Sequence, residues 1–573
     1  MINPNLSATG HHWQVLETDA NLPLMSQVLS ISHITARVMA NRGLRSKNAA
    51  LSFLQTSLEN LRPFSQLKDA DKCLARITAA ITSQEKITVF GDYDADGITS
   101  TVLLYKVLKR LGANCYYYIP HRIAEGYGLT EHSVRKIADT GTTLIIAVDS
   151  GISANAEIAL ATTLGLDTVV IDHHEQGHAL PQATAIVNPK RYDCTYPFKE
   201  MCAGGLTYKL AAALCQHMKS PFIEQEEALV LAAIATICDI VPLQDENRII
   251  ASAGLTILNA NKRINPGLGC LLQAREYLQK AIDSSSMGFV IGPCINVAGR
   301  LSTAEKAAQL LLSQGEEAAT ITQELLELNN QRRTLTESSV SRLMATLTHP
   351  LPKVLVLADT ETHESIAGIV AGRIREATGR PTIVLTQGGG AMKGSGRSPE
   401  CYNLFEALYA NRHLFQRFGG HAMAAGLTMA EENITKLREA LNTACTLEEK
   451  DFIPKLAIDG EIEIADISIA LSSELQRLAP FGKDNEEPLF ISRNVIIDSV
   501  RTIDDKNTII FTFKGQSGQR VRGITFGMNQ AWAQATADKP QNGFLADIVY
   551  KVETNVYNGN ASAQVRVKDF ALQ

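Results

Sequence analysis

The sequence predicts an α/β multidomain protein with a parallel-sheet domain, a long connector helix, a smaller α/β domain and a C-terminal OB-like β-barrel. Three observations carry this prediction. Apolar strand-like runs alternate with amphipathic helical runs between Lys86 and His174, a polar helical stretch begins near Gly315, and short alternating strands fill the chain from about Leu456. A chain of 573 residues is too long for one hydrophobic core, so two to four domains are expected.

The composition is that of a globular protein. Hydrophobic residues make up 45% of the chain and charged residues 20%, which excludes an intrinsically disordered protein. No apolar run reaches about 18 residues and no signal-peptide pattern is present, so neither membrane insertion nor secretion is expected. The ten cysteines include no C-x-x-C pair, which argues against a zinc site or a disulfide framework and favours a reducing cytoplasm. The net charge of −6 does not exclude a nucleic-acid partner, because a basic groove can lie on an acidic protein.

The first α/β region is expected over residues 71–314, after an N-terminal extension (1–70) that carries no recognisable chemistry. Its runs ITVFG, CYYYIP, TLIIAV and TVVID are typical of strands, and helical runs such as ITSTVLLYKVLKRLG lie between them. Strands that are apolar on both faces and separated by amphipathic helices predict βαβ units and a parallel sheet. A helical region from MCAGGLTYKLAAALC through EEALVLAAIATIC follows the strands.

Three further segments complete the prediction. The polar helical stretch predicts a connector helix within 315–349, although an ordinary surface helix is nearly as good an interpretation. A second α/β region, 350–450, contains KVLVLAD, TIVLT and the Gly-rich GGGAMKGSGRSP and GGHAMAAG. Over 451–573, runs such as VIIDSVRTI, NTIIFTFKG and ASAQVRVKDF predict a small closed barrel, for which an OB-fold is a natural candidate.

Acidic side chains follow several of the apolar runs in the first α/β region. They are Asp92, Asp94 and Asp96 after ITVFG, Asp149 after TLIIAV, Asp172 with His173 and His174 after TVVI, and Asp239 after ATIC. Open α/β sheets bind ligands at the carboxyl ends of their strands, and carboxylates and imidazoles are ligands for divalent cations. One such aspartate alone is usually a helix cap or a turn former. Their joint occurrence predicts a metal site.

The segment DYDADG begins like a calcium-binding EF-hand loop. Counted from Asp92, the twelfth position is Leu103, where that loop needs a bidentate glutamate. The preceding run also has the pattern of a strand rather than a helix, so an EF-hand is excluded. The remaining interpretation is a strand-to-helix loop whose carboxylates repel one another unless a cation neutralises them.

The number of Asp and His residues predicts two ions. His173 and His174 are adjacent and point in opposite directions in an extended segment, so at most one is an easy metal ligand. The other contacts a bound phosphate or supports a ligand from behind. We expect two divalent cations about 3.5–4 Å apart, bridged by a carboxylate such as Asp149. Oxygen and imidazole ligands without thiolate favour Mn²⁺ or Mg²⁺ over zinc, and such ions suggest phosphate chemistry.

At this point the motifs resemble a known family. DYDADG, VDSG, DHH and CDIVPL, in this order and at these spacings, are similar to the four motifs of the DHH phosphoesterase superfamily. GSGRSP and GGHAMAAG resemble its DHH-associated domain, which supplies substrate contacts. Together with YIPHRIAEGYGL, NVAGRLST and the barrel, they make the chain from about Leu51 onwards similar to the bacterial exonucleases of this superfamily that are specific for single-stranded DNA.

The resemblance implies a set of site residues. Metal ligands are expected at Asp92, Asp94, Asp96, Asp149, His173 and Asp239. Catalytic roles are expected at Asp94, Asp96, Asp149, His173, His174 and Asp239. Many relatives have a histidine four residues before the second aspartate of the first motif. Here that position is Phe90, which cannot bind a metal, and Asp92 is the candidate replacement. The junction PFGKDN has Asp484 where such proteins have a glycine, so a different local turn is expected.

A second set of residues predicts phosphate binding. The segment KGSGRS combines a guanidinium fork with a backbone that a phosphate can approach closely, although a flexible loop is an equally good interpretation of the glycines. The candidate substrate-binding residues are Ser395, Arg397 and Ser398, with Arg300 and Arg122 assisting, and His421, which contacts the scissile phosphate or packs at a turn. The resemblance implies that these positions bind a 5′ end, and therefore 5′→3′ polarity.

Aromatic and basic residues predict contacts to bases. Tyr127, between two glycines, is the candidate stacking residue, whereas Tyr116 to Tyr118 are expected in a buried strand. In the barrel, Phe511 and Phe513 alternate with basic side chains, a pattern that suits a single-strand track. Two phenylalanines at i and i+2 share one face of a strand, however, and are more often core. The basic side chains are Arg501, Lys506, Lys514, Arg520 and Arg522.

The leading hypothesis, implied by the resemblance, is a 5′→3′ exonuclease specific for single-stranded DNA. It would release nucleoside 5′-monophosphates by two-metal hydrolysis in recombination and repair, as a cytoplasmic monomer beside single-strand-binding protein and a RecQ-type helicase. One alternative is a DHH phosphoesterase acting on oligoribonucleotides or cyclic dinucleotides, but such relatives are typically shorter and lack the barrel. The other is a non-catalytic single-strand-binding scaffold, which should have lost its carboxylates.

Overall fold

The computed structural model describes residues 7–536 and 543–573. The N-terminal segment begins with a short strand and three helices that the sequence left without a role: β1 (His12–Val15), α1 (Leu22–Leu29), α2 (His33–Asn41) and α3 (Lys47–Leu54). β1 pairs in parallel with the strand Lys455–Ile458 near the C-terminal barrel. The apolar side chains Val38, Met39 and Phe53 pack in the same core as the barrel residues. This segment is therefore part of the packing of the barrel.

A five-stranded parallel sheet forms the centre of the first α/β region, as predicted. Its elements are α4 (Ala70–Thr82), β2 (Lys86–Gly91), α5 (Ala95–Arg110), β3 (Asn114–Tyr118), α6 (Glu131–Asp139), β4 (Leu144–Val148), α7 (Asn155–Thr163), β5 (Asp167–Ile171) and β6 (Ala185–Val187). The strand order is β3-β2-β4-β5-β6. Alternate residues of β4 enter two cores, Ile146 on the α5 side and Ile145 on the α6 and α7 side. Burial on both faces explains why the central strands are mostly apolar.

Helices complete this region and connect it to the next. They are α8 (Ala203–His217), α9 (Gln225–Cys238), α10 (Asp245–Ala260), α11 (Pro266–Ala274), α12 (Ser284–Ser286), a π-helical turn (Met287–Ile291), α13 (Gly292–Leu301), α14 (Glu305–Leu312) and α15 (Gly315–Ala345). The 31-residue α15 is the predicted connector. Its first half packs in the core of the parallel-sheet region through Leu325, and its second half packs through Leu343 against the next unit.

The second α/β unit has a mixed sheet. Its elements are β7 (Leu355–Ala358), α16 (Ala367–Thr378), β8 (Thr382–Gly388), β9 (Ala391–Arg397), α17 (Leu404–Ala410), β10 (Phe415–His421), β11 (Ala424–Met429) and α18 (Ile434–Ala444). The strand order is β10-β11-β9-β8-β7, and only β7 and β8 are parallel. The Gly-rich KGSGR segment is β9, in the middle of this sheet, so it is an ordered strand rather than a flexible loop.

The C-terminal unit is the predicted OB-like barrel. Its elements are β12 (Lys455–Ile458), β13 (Gly460–Glu461), α19 (Ile469–Gln476), β14 (Phe490–Ile503), β15 (Thr508–Lys514), β16 (Arg520–Phe526), α20 (Asn529–Ala535), β17 (Leu545–Tyr557) and β18 (Asn560–Leu572). The strand β14 pairs with both β15 and β17, which closes the ring β14-β15-β16-β18-β17.

All ten cysteines lie within the described residues, and each is a free thiol. In the described ranges no helix has the length and apolar character needed to cross a membrane.

Candidate metal centre

The carboxyl edge of the parallel sheet brings the predicted ligands together. The strands β2, β4 and β5 end beside one another there, and Asp239 joins them from the C-terminal end of α9. His173 Nε2 lies 3.2 Å from Asp149 Oδ1, 3.7 Å from Asp96 Oδ2 and 3.6 Å from Asp239 Oδ2. Asp96 and Asp239 therefore lie beside the same imidazole, although 143 positions separate them in the sequence.

The ligand atoms form two neighbouring groups, each with its atoms within 4.8 Å of one another. We call Asp92, Asp94 and Asp149 the Asp94 lobe, and Asp96, His173 and Asp239 the Asp239 lobe. A further group of this kind, Asp149 with His173 and His174, overlaps both. Asp149 thus lies where the two lobes meet, as expected for a bridging carboxylate.

The DYDADG loop positions the Asp94 lobe. Asp94 is the N-cap of α5, and its Oδ1 accepts hydrogen bonds from the backbone N–H of Asp96 (3.0 Å) and Gly97 (3.2 Å). A Cβ at Gly97 would lie 2.6 Å from the backbone nitrogen of Asp92, so only glycine lets the loop close this tightly. Asp92 Oδ1 is buried without a hydrogen-bond partner. A buried carboxylate oxygen without a donor is destabilising unless a cation binds it, so this lobe fits a metal ion.

The N-terminus of α8 holds Asp96 in place. The backbone N–H groups of Ala203 and Gly204 donate to its two carboxylate oxygens at 2.8 and 2.7 Å, and Ser100 Oγ adds a bond of 3.1 Å. The positive end of the helix favours the charged carboxylate. Burial, together with the charge of Asp94, nevertheless raises the pKa of Asp96 to about 7. The carboxylate is therefore well oriented but lacks a compensating charge.

The other acids lack compensation as well. Burial, followed by the charges of Asp96 and Asp94, raises the pKa of Asp149 well above its ordinary value and that of Asp239 to about 8. Burial and Asp94 also raise the pKa of Asp92. Among the described residues no lysine or arginine lies within ion-pairing distance of these carboxylates. Uncompensated oxygen ligands beside one imidazole suit Mn²⁺ or Mg²⁺.

The two histidines have different environments, as their adjacency predicts. Burial, together with the charge of His174, lowers the pKa of His173 to about 3, so His173 is a neutral imidazole that can bind a metal. His174 Nδ1 hydrogen-bonds Asp172 Oδ1 at 2.7 Å. Burial lowers the pKa of His174, but the bond to Asp172 outweighs it and the net effect raises this pKa to about 9. Asp172 also accepts the backbone N–H of Ile152, so it orients His174 rather than joining either lobe.

Phe90 occupies the position where many relatives have a histidine. Its side chain is fully buried in the core beneath the sheet edge and stacks on Tyr118 with ring centroids 5.8 Å apart. It contributes no ligand, whereas the unpaired Asp92 belongs to the Asp94 lobe.

A cavity of about 310 Å³ lies beside the metal centre, between the parallel-sheet region and the second α/β unit. Arg122, Tyr93 and Tyr127 form one wall, and Lys393 and Ser395 belong to the other. The guanidinium of Arg122 lies over the ring of Tyr93, 4.6 Å from its centroid. The hydroxyl of Tyr127 is 3.2 Å from the carbonyl of Asp149, while its ring remains half exposed and available to a base.

Three predicted arginines lie in this region without a carboxylate partner among the described residues, and of the three only Arg122 lines the cavity. Arg300 donates from Nη1 to the Ser365 carbonyl at 2.9 Å, and Arg397 donates to the Gly396 carbonyl at 2.8 Å. Burial, followed by the charge of Arg122, lowers the pKa of Arg300 to about 10 and lowers that of Arg397 as well. A cluster of partly buried guanidinium groups that repel one another is an anion-binding environment.

Ser398 and His421 are placed differently from Ser395. Ser398 is buried, and its hydroxyl donates to the Tyr402 carbonyl at 2.7 Å. His421 is exposed at the end of β10, opposite Ala424, which in turn pairs with Arg397. The structure places neither side chain on the 310 Å³ cavity.

Sequence reasoning missed a second, larger cavity, which we call the barrel cleft. It has a volume of about 1220 Å³ and lies between the barrel and a helical wall formed by the end of α9, α10 and residues 282–289. Ile240, which is 67% exposed, and Phe289, which is 81% exposed, form its apolar side. Lys483 and Lys568 contribute to the barrel side. The exposed position of Ile240 directly after Asp239 gives no signal in a single sequence.

Two expectations about aromatic residues are decided by burial. Phe511 and Phe513 are 2% and 1% exposed and stack on each other inside the barrel, so the hypothesis that they contact bases is wrong. Tyr116 lies in a strand as predicted, but it is 50% exposed because β3 is an edge strand. Tyr93, which lines the cavity, was not singled out, although its place inside the DYDADG motif could have indicated it.

Models of three protein families match the chain. Residues 86–236 match the N-terminal domain of the DHH family, residues 351–446 the DHHA1 domain and residues 458–569 the RecJ OB domain. These ranges fall within the parallel-sheet region, the second α/β unit and the barrel, respectively.

Comparisons over the full length agree with these matches. The chain is 35% identical to the single-stranded-DNA-specific exonuclease RecJ of Bacillus subtilis, over 99% of the chain and 71% of that protein. A crystal structure of RecJ from Thermus thermophilus with Mn²⁺ superimposes with a TM-score of 0.82 at 29% identity, over 97% of the chain and 79% of that protein. The structure of the same protein with Mg²⁺ gives a TM-score of 0.77 at 28% identity, over 98% of the chain and 78% of that protein. The chain therefore belongs to the RecJ family of single-stranded-DNA-specific exonucleases.

Proposed function

We propose that the protein is a metal-dependent exonuclease that degrades single-stranded DNA from its 5′ end. The observation that carries this proposal is the meeting of the Asp94 and Asp239 lobes at the sheet edge, in a chain of the RecJ family. A non-catalytic scaffold would have no reason to keep three buried acids and the partly buried Asp239, all with raised pKa values.

The ligand assignment follows the two lobes. Asp92 and Asp94 would hold one divalent cation, Asp96, His173 and Asp239 would hold the other, and Asp149 would contribute to both. The 3.2 Å separation of Asp149 Oδ1 and His173 Nε2 supports the shared role. The cations, Mn²⁺ or Mg²⁺, supply activation of water and neutralisation of the charge on the reacting phosphodiester. The Mn²⁺- and Mg²⁺-containing relatives support this choice of ions.

His174 is proposed to contact the scissile phosphate. Its bond to Asp172 raises its pKa to about 9, so it carries a proton at neutral pH and can donate a charge-assisted hydrogen bond. Its ring contacts that of Tyr127 at a centroid distance of 5.7 Å, which places both side chains between the metal lobes and the smaller cavity.

The smaller cavity is proposed to hold the 5′-terminal nucleotide. Arg122, Arg300, Arg397 and Ser395 would bind the terminal phosphate, and Tyr127 would stack on the base. The support is the absence of carboxylate partners for these three arginines in the described part of the chain, together with the half-exposed ring of Tyr127. Binding of a terminal phosphate beside the metal centre explains 5′→3′ polarity and release of nucleoside 5′-monophosphates. Ser398 and His421 would act only indirectly.

The barrel cleft is proposed to carry the rest of the strand. A single strand has apolar base faces along one side and phosphates along the other, which matches a cleft with Phe289 and Ile240 on one side and Lys483 and Lys568 on the other. A duplex presents phosphates on both outer edges and would bring charge against the apolar side. Selection of single strands would follow from this arrangement.

The remaining proposals concern boundaries and partners. We place the working units at residues 1–70, 71–314, 315–349, 350–450 and 451–573, with the first packed on the last. Single-strand-binding protein and a RecQ-type helicase are proposed partners of a monomeric enzyme in recombination and repair. The ten free thiols support a reducing cytoplasm as its compartment.

A digestion series tests the function. Single-stranded DNA, duplex DNA, short RNA and dinucleotides, each labelled at either end where possible, are incubated with the protein and Mn²⁺ or Mg²⁺. We expect mononucleotides from the 5′ end of single-stranded DNA and loss of activity with EDTA. Equal activity on duplex DNA, or activity confined to RNA or dinucleotides, would contradict the proposal.

A further inference from the structure

Three consecutive polar residues are buried at the beginning of α10: Glu246, Asn247 and Arg248 are 0%, 0% and 2% exposed. Buried polar side chains need partners, and each of these has a different one. Glu246 accepts hydrogen bonds from Lys209 and Tyr196, and the guanidinium of Arg248 donates to carbonyls of residues 53 and 477–480 at the barrel junction. Glu246 thereby contacts α8, and Asn247 binds the segments directly before α8 and directly after Asp239.

The amide of Asn247 bridges two segments. Its Nδ2 donates to the Glu200 carbonyl at 2.6 Å and to the Pro242 carbonyl at 3.0 Å. Glu200 is three residues before Ala203, whose N–H holds Asp96, and Pro242 is three residues after Asp239. One side chain therefore joins the segment that orients Asp96 to the loop that carries Asp239.

This loop is not stable by its own conformational preference. It begins at Ile240 and ends at Asp245, whose φ angles are 57° and 46°. Both lie in the left-handed region, which a β-branched residue such as isoleucine strongly disfavours. Ile240 is also largely exposed, so core packing does not hold it. Burial of Val241 and Leu243, together with bonds from neighbouring segments, therefore has to hold the loop.

Burying Asn247 has an energetic cost, and the two hydrogen bonds that its amide donates are what justify that cost. Its Oδ1 is buried without a hydrogen-bond partner. A leucine of similar size would avoid this unpaired oxygen and bury more apolar surface. The residue is therefore favoured at this position for its two N–H bonds.

We infer that Asn247 is a positioning residue that sets the distance between Asp96 and Asp239 in the Asp239 lobe. The inference rests on the proposed metal-dependent function. Metal sites tolerate ligand displacements of only about 0.2 Å, and groups that orient ligands typically contribute about 10- to 100-fold to metal affinity. Without the bridge, the strained loop can relax and withdraw Asp239 from His173.

Calorimetric titration of the full chain with Mn²⁺, without DNA, tests this inference. Asn247→Leu should bind Mn²⁺ about 10- to 100-fold more weakly at one of its two sites. Asn265→Leu is the matched control. Asn265 is also 0% exposed, and its amide also donates twice, at 2.7 Å, to Glu227 and to the Leu311 carbonyl, but it contacts neither lobe. The control should bind Mn²⁺ like the wild type.

Asn247→Ser provides a second variant if the leucine variant does not fold, since serine is too short to bridge both carbonyls. Wild-type Mn²⁺ affinity in a folded Asn247 variant, or an equal loss in Asn265→Leu, would overturn the inference. In that case the wild type still binds Mn²⁺ and degrades single-stranded DNA. A wild type that binds no Mn²⁺ would instead contradict the proposed function itself.

Discussion

The catalytic half of the chain and the barrel treat charged side chains in opposite ways. At the sheet edge, Asp96 and Asp149 are buried and, within the described part of the chain, their only ion-pairing-distance neighbour is the neutral imidazole of His173. In the barrel, Arg493 pairs with Glu461 and Asp547 at 3.1 and 3.0 Å near the surface. The first arrangement is destabilising until a ligand binds, whereas the second is satisfied within the protein.

This difference teaches how to separate functional from structural charges. Both regions carry many charged residues close together in sequence, so charge density does not distinguish them. Burial of several like charges together without compensation does, because such a cluster is destabilising until a ligand supplies the missing charge. The same test applies to arginine: Arg397 is largely buried and donates to a backbone carbonyl, while Arg520 is exposed and pairs with Asp498 at 2.8 Å.

The largest effect should come from Asp149, which lies where the two lobes meet. Asp149→Ala should lower kcat on single-stranded DNA by about 10³-fold or more, because both ions lose a ligand. DNA binding, measured by fluorescence anisotropy, should remain close to the wild-type value. Substantial turnover in this variant would show that Asp149 does not bridge the metals.

Removal of metal should make stability depend on pH. The raised pKa values of Asp96 (about 7), Asp239 (about 8) and His174 (about 9) mean that the folded, metal-free protein holds protons that the unfolded chain has released. Its stability should therefore fall as pH rises from about 6.5 to about 8.5. The window begins at the pKa of an unfolded histidine because, at lower pH, the lowered folded-state pKa of His173 has the opposite effect on stability.

Thermal melts in EDTA and in saturating Mn²⁺ measure this dependence. Bound Mn²⁺ stabilises the ionised carboxylates, so the increase in Tm caused by Mn²⁺ should grow with pH across this window. An increase that is constant or shrinks with pH would show that these acids do not bind the ions.

A smaller effect is expected at Arg397. Arg397→Ala should raise KM for 5′-phosphorylated single-stranded DNA by about 10- to 100-fold, as expected for loss of a charge-assisted bond to phosphate. Substrates with a 5′ hydroxyl should be affected less. Equal effects on both substrates would argue against binding of the terminal phosphate.

The smallest effect is expected at Arg520, the matched arginine of the barrel. Arg520→Ala should leave kcat and KM within about twofold of the wild-type values, because an exposed ion pair contributes little. A loss comparable to that of Arg397→Ala would move the single-strand track from the barrel cleft to the β15–β16 face.

The fold class and the identity of the candidate ligands could be predicted from the sequence. The strands β2, β4 and β5 are mostly apolar, which is a local pattern, and acidic residues stand directly after them. Parallel strands necessarily bring these ends to one edge, so the meeting of Asp96, Asp149 and His173 follows from topology.

Contacts between distant segments could not be predicted in this way. Phe511 and Phe513 have the alternation of either a core or a binding face, and only closure of the barrel decides which side is buried. Likewise, β1 pairs with β12 through residues such as His12 and Lys455, which are more than 440 positions apart in the sequence.

The sequence by itself determined the parallel sheet, the barrel and the acids at the strand ends, because side-chain periodicity and strand-end position are local properties. The tertiary structure decided which charges remain uncompensated, which aromatic rings are buried, and that Asn247 bridges the segments beside Asp96 and Asp239. Burial and hydrogen-bond partners depend on which segments pack together, and a single sequence does not encode that packing in any local pattern.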